Sequence, residues 1–212
     1  MVQDPKLDIE QSFWETGIVR VAGVDEAGLG CLAGPIVAAA VILPPEVTPI
    51  PGVRDSKQVS AAKRIQLLPK IQAQAIAVGV GVASVAEVDQ WNVLRASYLA
   101  MQRALARVAP VDHALIDGRE IYHADLGSVT TIIHGDALSY SIACASIVAK
   151  VRRDRFMQCL AKRYPGYGWE RNAGYGTQQH REALQTLGVT PWHRKSYAPV
   201  QAVMQQLPLF EP

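Results

Sequence analysis

Apolar residues dominate 18–25 (IVRVAGVD), which predicts a strand with Arg20 near an outer, surface end and its remainder running inward. A second strand is predicted at 34–43 (GPIVAAAVIL), and the proline-rich stretch 44–57 reads as a loop. KRIQLLPKIQAQ suggests a short helix interrupted near Pro69. The valines and isoleucines of 75–85 suggest a third strand, followed by a helix near 86–90. Over 92–108, Leu94, Tyr98, Met101 and Leu105 recur at helical spacing. HALIDG and SVTTIIHGD read as further strands, each finishing on an acid. A long helix is predicted at 138–163, then a Gly/Tyr-rich loop over 164–177 and a final helix in QQHREALQTLG. Three strands precede any long helix and later ones alternate with helices, which predicts an α/β fold on a mixed sheet.

The 212 residues, 49% hydrophobic and 19% charged, suit one compact domain or a domain with a small extension. Cys31, Cys144 and Cys159 are odd in number and unrelated in spacing, so neither a disulfide framework nor a zinc pattern is expected. The acid-containing start, MVQDPKLDIEQSF, is unlike an ordinary signal peptide, and the longest apolar stretch is too broken to span a bilayer. A cytoplasmic protein without a membrane partner is expected.

Charge divides the chain. Ten basic and three acidic residues lie between 150 and 195, a net +7, whereas 1–149 holds eleven basic and fifteen acidic residues, a net −4. An acidic part joined to a basic part suits a metal or catalytic centre beside a polyanion-binding surface. The same basic residues also suit an ordinary solvated helix face.

The acids fall in a pattern of their own. Asp25-Glu26, Asp117 and Asp136 each close a predicted strand, with Gly28, Gly118 and Gly135 close by. If the strand ends are neighbours, the carboxylates repel one another unless divalent cations neutralise them. Oxygen donors of this kind favour Mg²⁺ or Mn²⁺, and two such ions can activate water against a phosphodiester. Asp beside Gly is equally common in plain turns. Adjacent strand residues face opposite ways, so Asp25 and Glu26 share a site only if the strand is ending there.

GVDEAGLGCLAGPIVAAAVIL, DSK at 55–57, LIDG, HGDALSYSIACASIVAKVRRD and YPGYGWERNAGYGT resemble, in order, the segments of bacterial ribonuclease HII, from about residue 18 to 199. The resemblance implies an RNase H-like mixed five-stranded sheet flanked by helices. It implies a catalytic core at 17–163, a small C-terminal helical extension at 164–200 that contributes to substrate binding, and a tail at 201–212. It also implies an endonuclease acting on RNA–DNA hybrids and on single ribonucleotides embedded in duplex DNA, nicking on their 5′ side to leave 3′-hydroxyl and 5′-phosphate ends. Asp25, Glu26, Asp117 and Asp136 match the family's metal-binding and catalytic acids, which hold two ions. Gly28, Leu29 and Gly30 lie where the family reads the ribonucleotide's 2′-hydroxyl through backbone groups. Tyr175 matches the tyrosine that packs on the following sugar. Lys57 would face a substrate phosphate, with Ser139, Ser146 and Lys150 as further phosphate contacts.

The chain departs from the family at Leu29, where arginine is usual, at Asn172-Ala173, where His-Lys is usual, and at Cys31, where proline or alanine is common. Catalysis is expected to survive with altered substrate affinity. The alternatives are an RNase H-fold nuclease without 2′-hydroxyl selectivity and a non-catalytic nucleic-acid binder. Ribonuclease HIII is disfavoured because its extra N-terminal domain has no room in the first 17 residues. Gln206, Leu207, Leu209 and Phe210 resemble the short peptides by which bacterial replication and repair proteins hold the sliding clamp. The same residues could instead fold back on the protein's own surface. A monomer is expected.

Overall fold

The second strand, β2 (Ile36–Ile42, IVAAAVI), is buried along its whole length. Ala39 and Val41 pack with Leu67, Leu68 and Ile71, whereas Ile36, Ala38, Ala40 and Ile42 pack with Ala96, Ala100 and Ala104. That period of two marks a strand covered on both faces. The structure, a computed structural model, describes residues 4–118 and 126–206.

The sheet has the order β3-β2-β1-β4-β5. β1 (Val21–Ala27) and β3 (Ala77–Ala83) both run antiparallel to β2. β4 (His113–Asp117) lies parallel to β1, and β5 (Val129–Ile132) parallel to β4. This is the mixed five-stranded sheet that was expected.

Helices cover both faces. α1 (Asp8–Trp14) precedes β1, a 3₁₀ turn (Ser56–Gln58) and α2 (Ala61–Gln74) join β2 to β3, and α3 (Val85–Trp91) and α4 (Val93–Ala106) join β3 to β4. After β5 come α5 (Gly135–Leu138) and α6 (Tyr140–Arg163), then α7 (Trp169–Asn172), α8 (Gln178–Leu187) and α9 (Ala198–Gln206). Every residue of α6 from Tyr140 to Ala149 is buried, as in a helix apolar all round and enclosed by its neighbours. β1 meets it through Gly23, where a Cβ would stand 2.2 Å from the Ser141 carbonyl carbon. On the opposite face Gly81 brings β3 against α4, and a Cβ there would stand 2.0 Å from the Ala100 oxygen. Both positions need glycine for close backbone approach.

Four local expectations are corrected. Pro69 does not interrupt its helix: α2 runs from Ala61 to Gln74 with Pro69 exposed, so solvent can satisfy the carbonyl that loses its bond. Leu94 is 57% exposed, because Ala96, Ala100 and Ala104 supply the close approach of α4 to the sheet. The long helix starts at Tyr140 rather than 138, since Ser139 is extended and caps it by accepting from the Ile142 amide. Residues 201–206 are helical rather than tail: α9 continues because Val200 and Val203 bury against Leu32 and Leu184. Among the described residues, no helix is long and apolar enough to cross a membrane.

Candidate active site

Parallel pairing sets Val24 of β1 beside Ile116 of β4, so Asp25 and Asp117 follow side by side at neighbouring strand positions. Asp136 joins them from the first turn of α5 rather than from a strand end, which corrects the reading of 128–136 as one strand. β5 stops at Ile132, and His134, at φ 58°, turns the chain into α5. One carboxylate oxygen from each of Asp25, Asp117 and Asp136 lies within 4.8 Å of the others. The Gly135 amide donates to Asp117 Oδ1 at 2.7 Å, and the Glu26 amide to Asp25 Oδ1 at 2.6 Å. Glu26 stands outside this trio but lines the same cavity, since β1 ends one residue later at Ala27.

Asp25, Glu26 and Asp136 hold their protons more tightly than usual. Burial raises the Asp25 carboxyl well above the ordinary range, with the charges of Glu26 and Asp117 adding to it. Burial and Asp117 push Glu26 up to about 7. Burial, Asp117 and Asp55 push Asp136 up to about 6. Lys57 Nζ lies 3.6 Å from Asp136 and 3.8 Å from Asp55, but this side chain is mostly exposed and a single cation. Clustered oxygen donors with too little countercharge fit a hard divalent ion.

The cavity has a volume of about 130 Å³ and gathers most of the sequence-predicted contacts. Gly28, Leu29 and Gly30 form one wall, with Lys57, Ser146, Lys150 and Tyr175 around them. Ser146 is buried, donates to Ser56 Oγ at 2.9 Å and bonds Asp25, so it steadies two neighbours. Lys150 donates to Asp154 at 2.7 Å and lies 5.7 Å from the centre of the Tyr175 ring. Leu29 packs its side chain against the α4-side core. Ser139 is not part of the site. It is fully buried and bonds Glu10 Oε1 at 2.6 Å, together with the Ser141 amide and hydroxyl, so it caps α6. Gln206 ends α9, while Leu207, Leu209 and Phe210 lie outside the described residues.

Charge counting along the chain missed what Arg153 and Arg194 do. Both are fully buried and belong to no polyanion-binding surface. Arg153 donates to the carbonyls of Ala33, Pro35 and Ala173, and Arg194 to those of Gly28, Leu29 and Gly34. Two arginines distant in sequence thus staple the glycine loop to the C-terminal segment. A buried ring network supports Tyr175 from behind. His180 Nδ1 donates to the Tyr175 carbonyl at 2.9 Å, and its Nε2 accepts from Trp169 at 3.0 Å and from His193 at 3.1 Å. Burial lowers both histidines, His193 to about 4, so both rings are neutral at pH 7. The available signal was the recurrence of Trp and His in a polar stretch, which carries no period to read.

The family model described as Ribonuclease HII matches residues 22–200. The chain belongs to the ribonuclease HII family. Ribonuclease HII of Thermosynechococcus vestitus is 64% identical over 188 residues, covering 89% of this chain and 88% of that one. Among solved structures, the ribonuclease H2 of Pyrococcus horikoshii shares the fold with a TM-score of 0.73 at 24% identity, covering 87% of this chain and 97% of its own. The ribonuclease HII of Archaeoglobus fulgidus, solved as a complex with PCNA, gives 0.71 at 24% identity, covering 84% and 95%. As a member of the ribonuclease HII family, the chain is a type 2 ribonuclease H, a divalent-metal-dependent endonuclease whose substrate is an RNA–DNA hybrid.

Proposed function

We propose that this member of the ribonuclease HII family, beyond cutting RNA–DNA hybrids, nicks duplex DNA on the 5′ side of a single embedded ribonucleotide. The products carry 3′-hydroxyl and 5′-phosphate ends, and the protein acts as a cytoplasmic monomer. The observation that carries this reading is the meeting, in one cavity, of Asp25 and Asp117 with Gly28–Gly30 and the Tyr175 ring, Asp136 standing beside the two acids. Asp25, Asp117 and Asp136, with Glu26 at the edge of the set, would hold two Mg²⁺ or Mn²⁺ ions. When bound, such ions supply a reactive water and offset charge on the leaving oxygen.

The chain's own groups position the duplex. Backbone groups of Gly28, Leu29 and Gly30 meet the 2′-hydroxyl, the atom that separates RNA from DNA. Tyr175 presents its ring to the next sugar. Lys57 faces the scissile phosphate, and Lys150 meets a neighbouring one after leaving Asp154. Leu29 contributes no cationic phosphate contact, which leaves recognition at that point to the peptide groups.

The test compares three duplexes with Mg²⁺ or Mn²⁺: one with a single ribonucleotide, a full RNA–DNA hybrid and an all-DNA control. A metal-dependent nick 5′ of the ribonucleotide is expected, with the all-DNA duplex untouched. Cleavage of the long hybrid alone would remove the single-ribonucleotide activity, and cleavage of all three would favour a nuclease without 2′-hydroxyl selectivity.

A second contact involves the C-terminus. Gln206, Leu207, Leu209 and Phe210 follow the clamp-peptide pattern, with apolar anchors for a groove, and the Archaeoglobus relative was solved bound to PCNA. Deleting residues 206–212 is expected to abolish capture by a bacterial sliding clamp and leave hybrid turnover unchanged. Undiminished capture by the shortened chain would overturn that contact.

A further inference from the structure

The geometry points to Arg194 as the positioning residue that aims two backbone amides of the glycine loop, those of Leu29 and Gly30, into the substrate cavity. The inference rests on the reading of that cavity as the ribonucleotide site.

Arg194 Nη2 donates to the Gly28 carbonyl at 2.6 Å, and its Nη1 to the Leu29 carbonyl at 2.8 Å. The Tyr197 hydroxyl, itself 2.9 Å from Nη1, donates to the same Leu29 carbonyl at 2.7 Å. In a trans peptide the C=O and N–H point in opposite directions. Drawing the Gly28 carbonyl onto a buried guanidinium therefore turns the Leu29 N–H away from it, and drawing in the Leu29 carbonyl does the same to the Gly30 N–H. Both residues line the cavity, and Arg194 does not. Farther along the loop the amides are taken: Leu32 and Ala33 donate to Gly174, and Gly34 to Trp192. Those of Leu29 and Gly30 have no partner among the described residues.

The loop lies against both guanidiniums at once. Gly28 has φ 107°, and a Cβ there would stand 2.1 Å from Arg153 Nε. Neither guanidinium has a carboxylate within 4.0 Å among the described residues. Two adjacent outward amides above uncancelled positive charge form a concavity suited to an oxygen rich in electron density. In an RNA–DNA hybrid the oxygen that an all-DNA duplex lacks is the ribose 2′-hydroxyl.

Lysine cannot replace this function. Arg194 spreads its bonds over three nitrogens in a fixed plane, reaching Gly28, Leu29 and Gly34 together, whereas an ammonium is one point of charge.

The test measures affinity for an RNA–DNA hybrid and for an all-DNA duplex of the same sequence in EDTA, taking their ratio, alongside the Tm. Arg194→Lys is expected to reduce the hybrid-to-DNA ratio by about tenfold, the loss of a charge-assisted bond or two. Tyr197→Phe keeps the guanidinium but removes one donor to Leu29, and is expected to lower the ratio by about threefold with a near-parental Tm. A scaffold defect would weaken both duplexes together and leave the ratio unchanged. Should Arg194→Lys fail to fold, Tyr197→Phe decides alone. A ratio unaltered in the folded variants, or near one in the parent, would overturn the proposal. If the parent cuts hybrids but not single ribonucleotides, the proposed nicking activity fails while the Arg194 comparison is still read on the hybrid.

Discussion

Asp117→Asn is expected to slow hybrid cleavage by about a thousandfold or more, because on the proposed assignment it removes a central metal-binding charge worth several kcal/mol in the transition state. The same variant should be more heat-stable than the parent in EDTA. The negative charge of Asp117 helps raise Asp25, Glu26 and Asp136, so it burdens all three neighbours. Asparagine keeps an Oδ1 to accept the Gly135 amide, which preserves the backbone contact while deleting the repulsion. Single-turnover cleavage and thermal melting in EDTA check the two halves. A folded variant cutting at the parental rate would remove Asp117 from the catalytic machinery.

Stability should respond to pH in two opposed ways, and a divalent ion should cancel only one of them. Glu26 rises from 4.5 to about 7, Asp136 from 3.8 to about 6, and Asp25 in the same direction. Between those values the native state binds more protons than the unfolded chain, so stability falls as pH rises from about 4 to 7. His193 falls from 6.5 to about 4, and His180 moves the same way. There the native state binds fewer protons, so stability present above 6.5 is lost as pH falls through about 4.

Without metal, the Tm should therefore peak on the mildly acidic side of neutrality. Saturating Mg²⁺ or Mn²⁺ displaces protons from the carboxylates and leaves the buried histidines alone. The expected gain in Tm is about 5–10 °C at pH 8 and much smaller at pH 5. Melting curves across pH with and without the ion check this. An equal gain at both ends would separate ion binding from carboxylate titration.

The sheet was legible in the sequence wherever strands are covered on both faces. β2, and β1 as far as Val24, carry unbroken apolar residues because neither face meets water there, and the acids that close β1 and β4 end the apolar runs visibly. Asp136 was legible as an acid beside glycine, but its turn was not, since His134 adopts a positive φ that no periodicity announces. Leu94 misled for a physical reason: helix α4 approaches the sheet through alanines, so the larger side chain faces outward.

Capping was harder to see. Ser139 looked like a phosphate contact because its partner, Glu10, lies 129 residues away. Arg153 and Arg194 were hidden for the same reason. Local sequence shows them as cations in a basic stretch, while their partners are loop carbonyls, and carbonyls carry no residue-type signal.

The parallel pairing of β1 with β4 also has a kinetic meaning. The chain between Val21 and His113 makes two further strands and three α-helices, so this contact closes a long loop. Until β4 docks, the charge of Asp25 faces no charge from Asp117, and the two carboxylates are forced together only as the sheet is completed. An ion that bridges them binds a state reached late in the reaction. It is therefore expected to lengthen the lifetime of the native protein by slowing its unfolding, while the rate at which the chain folds stays the same.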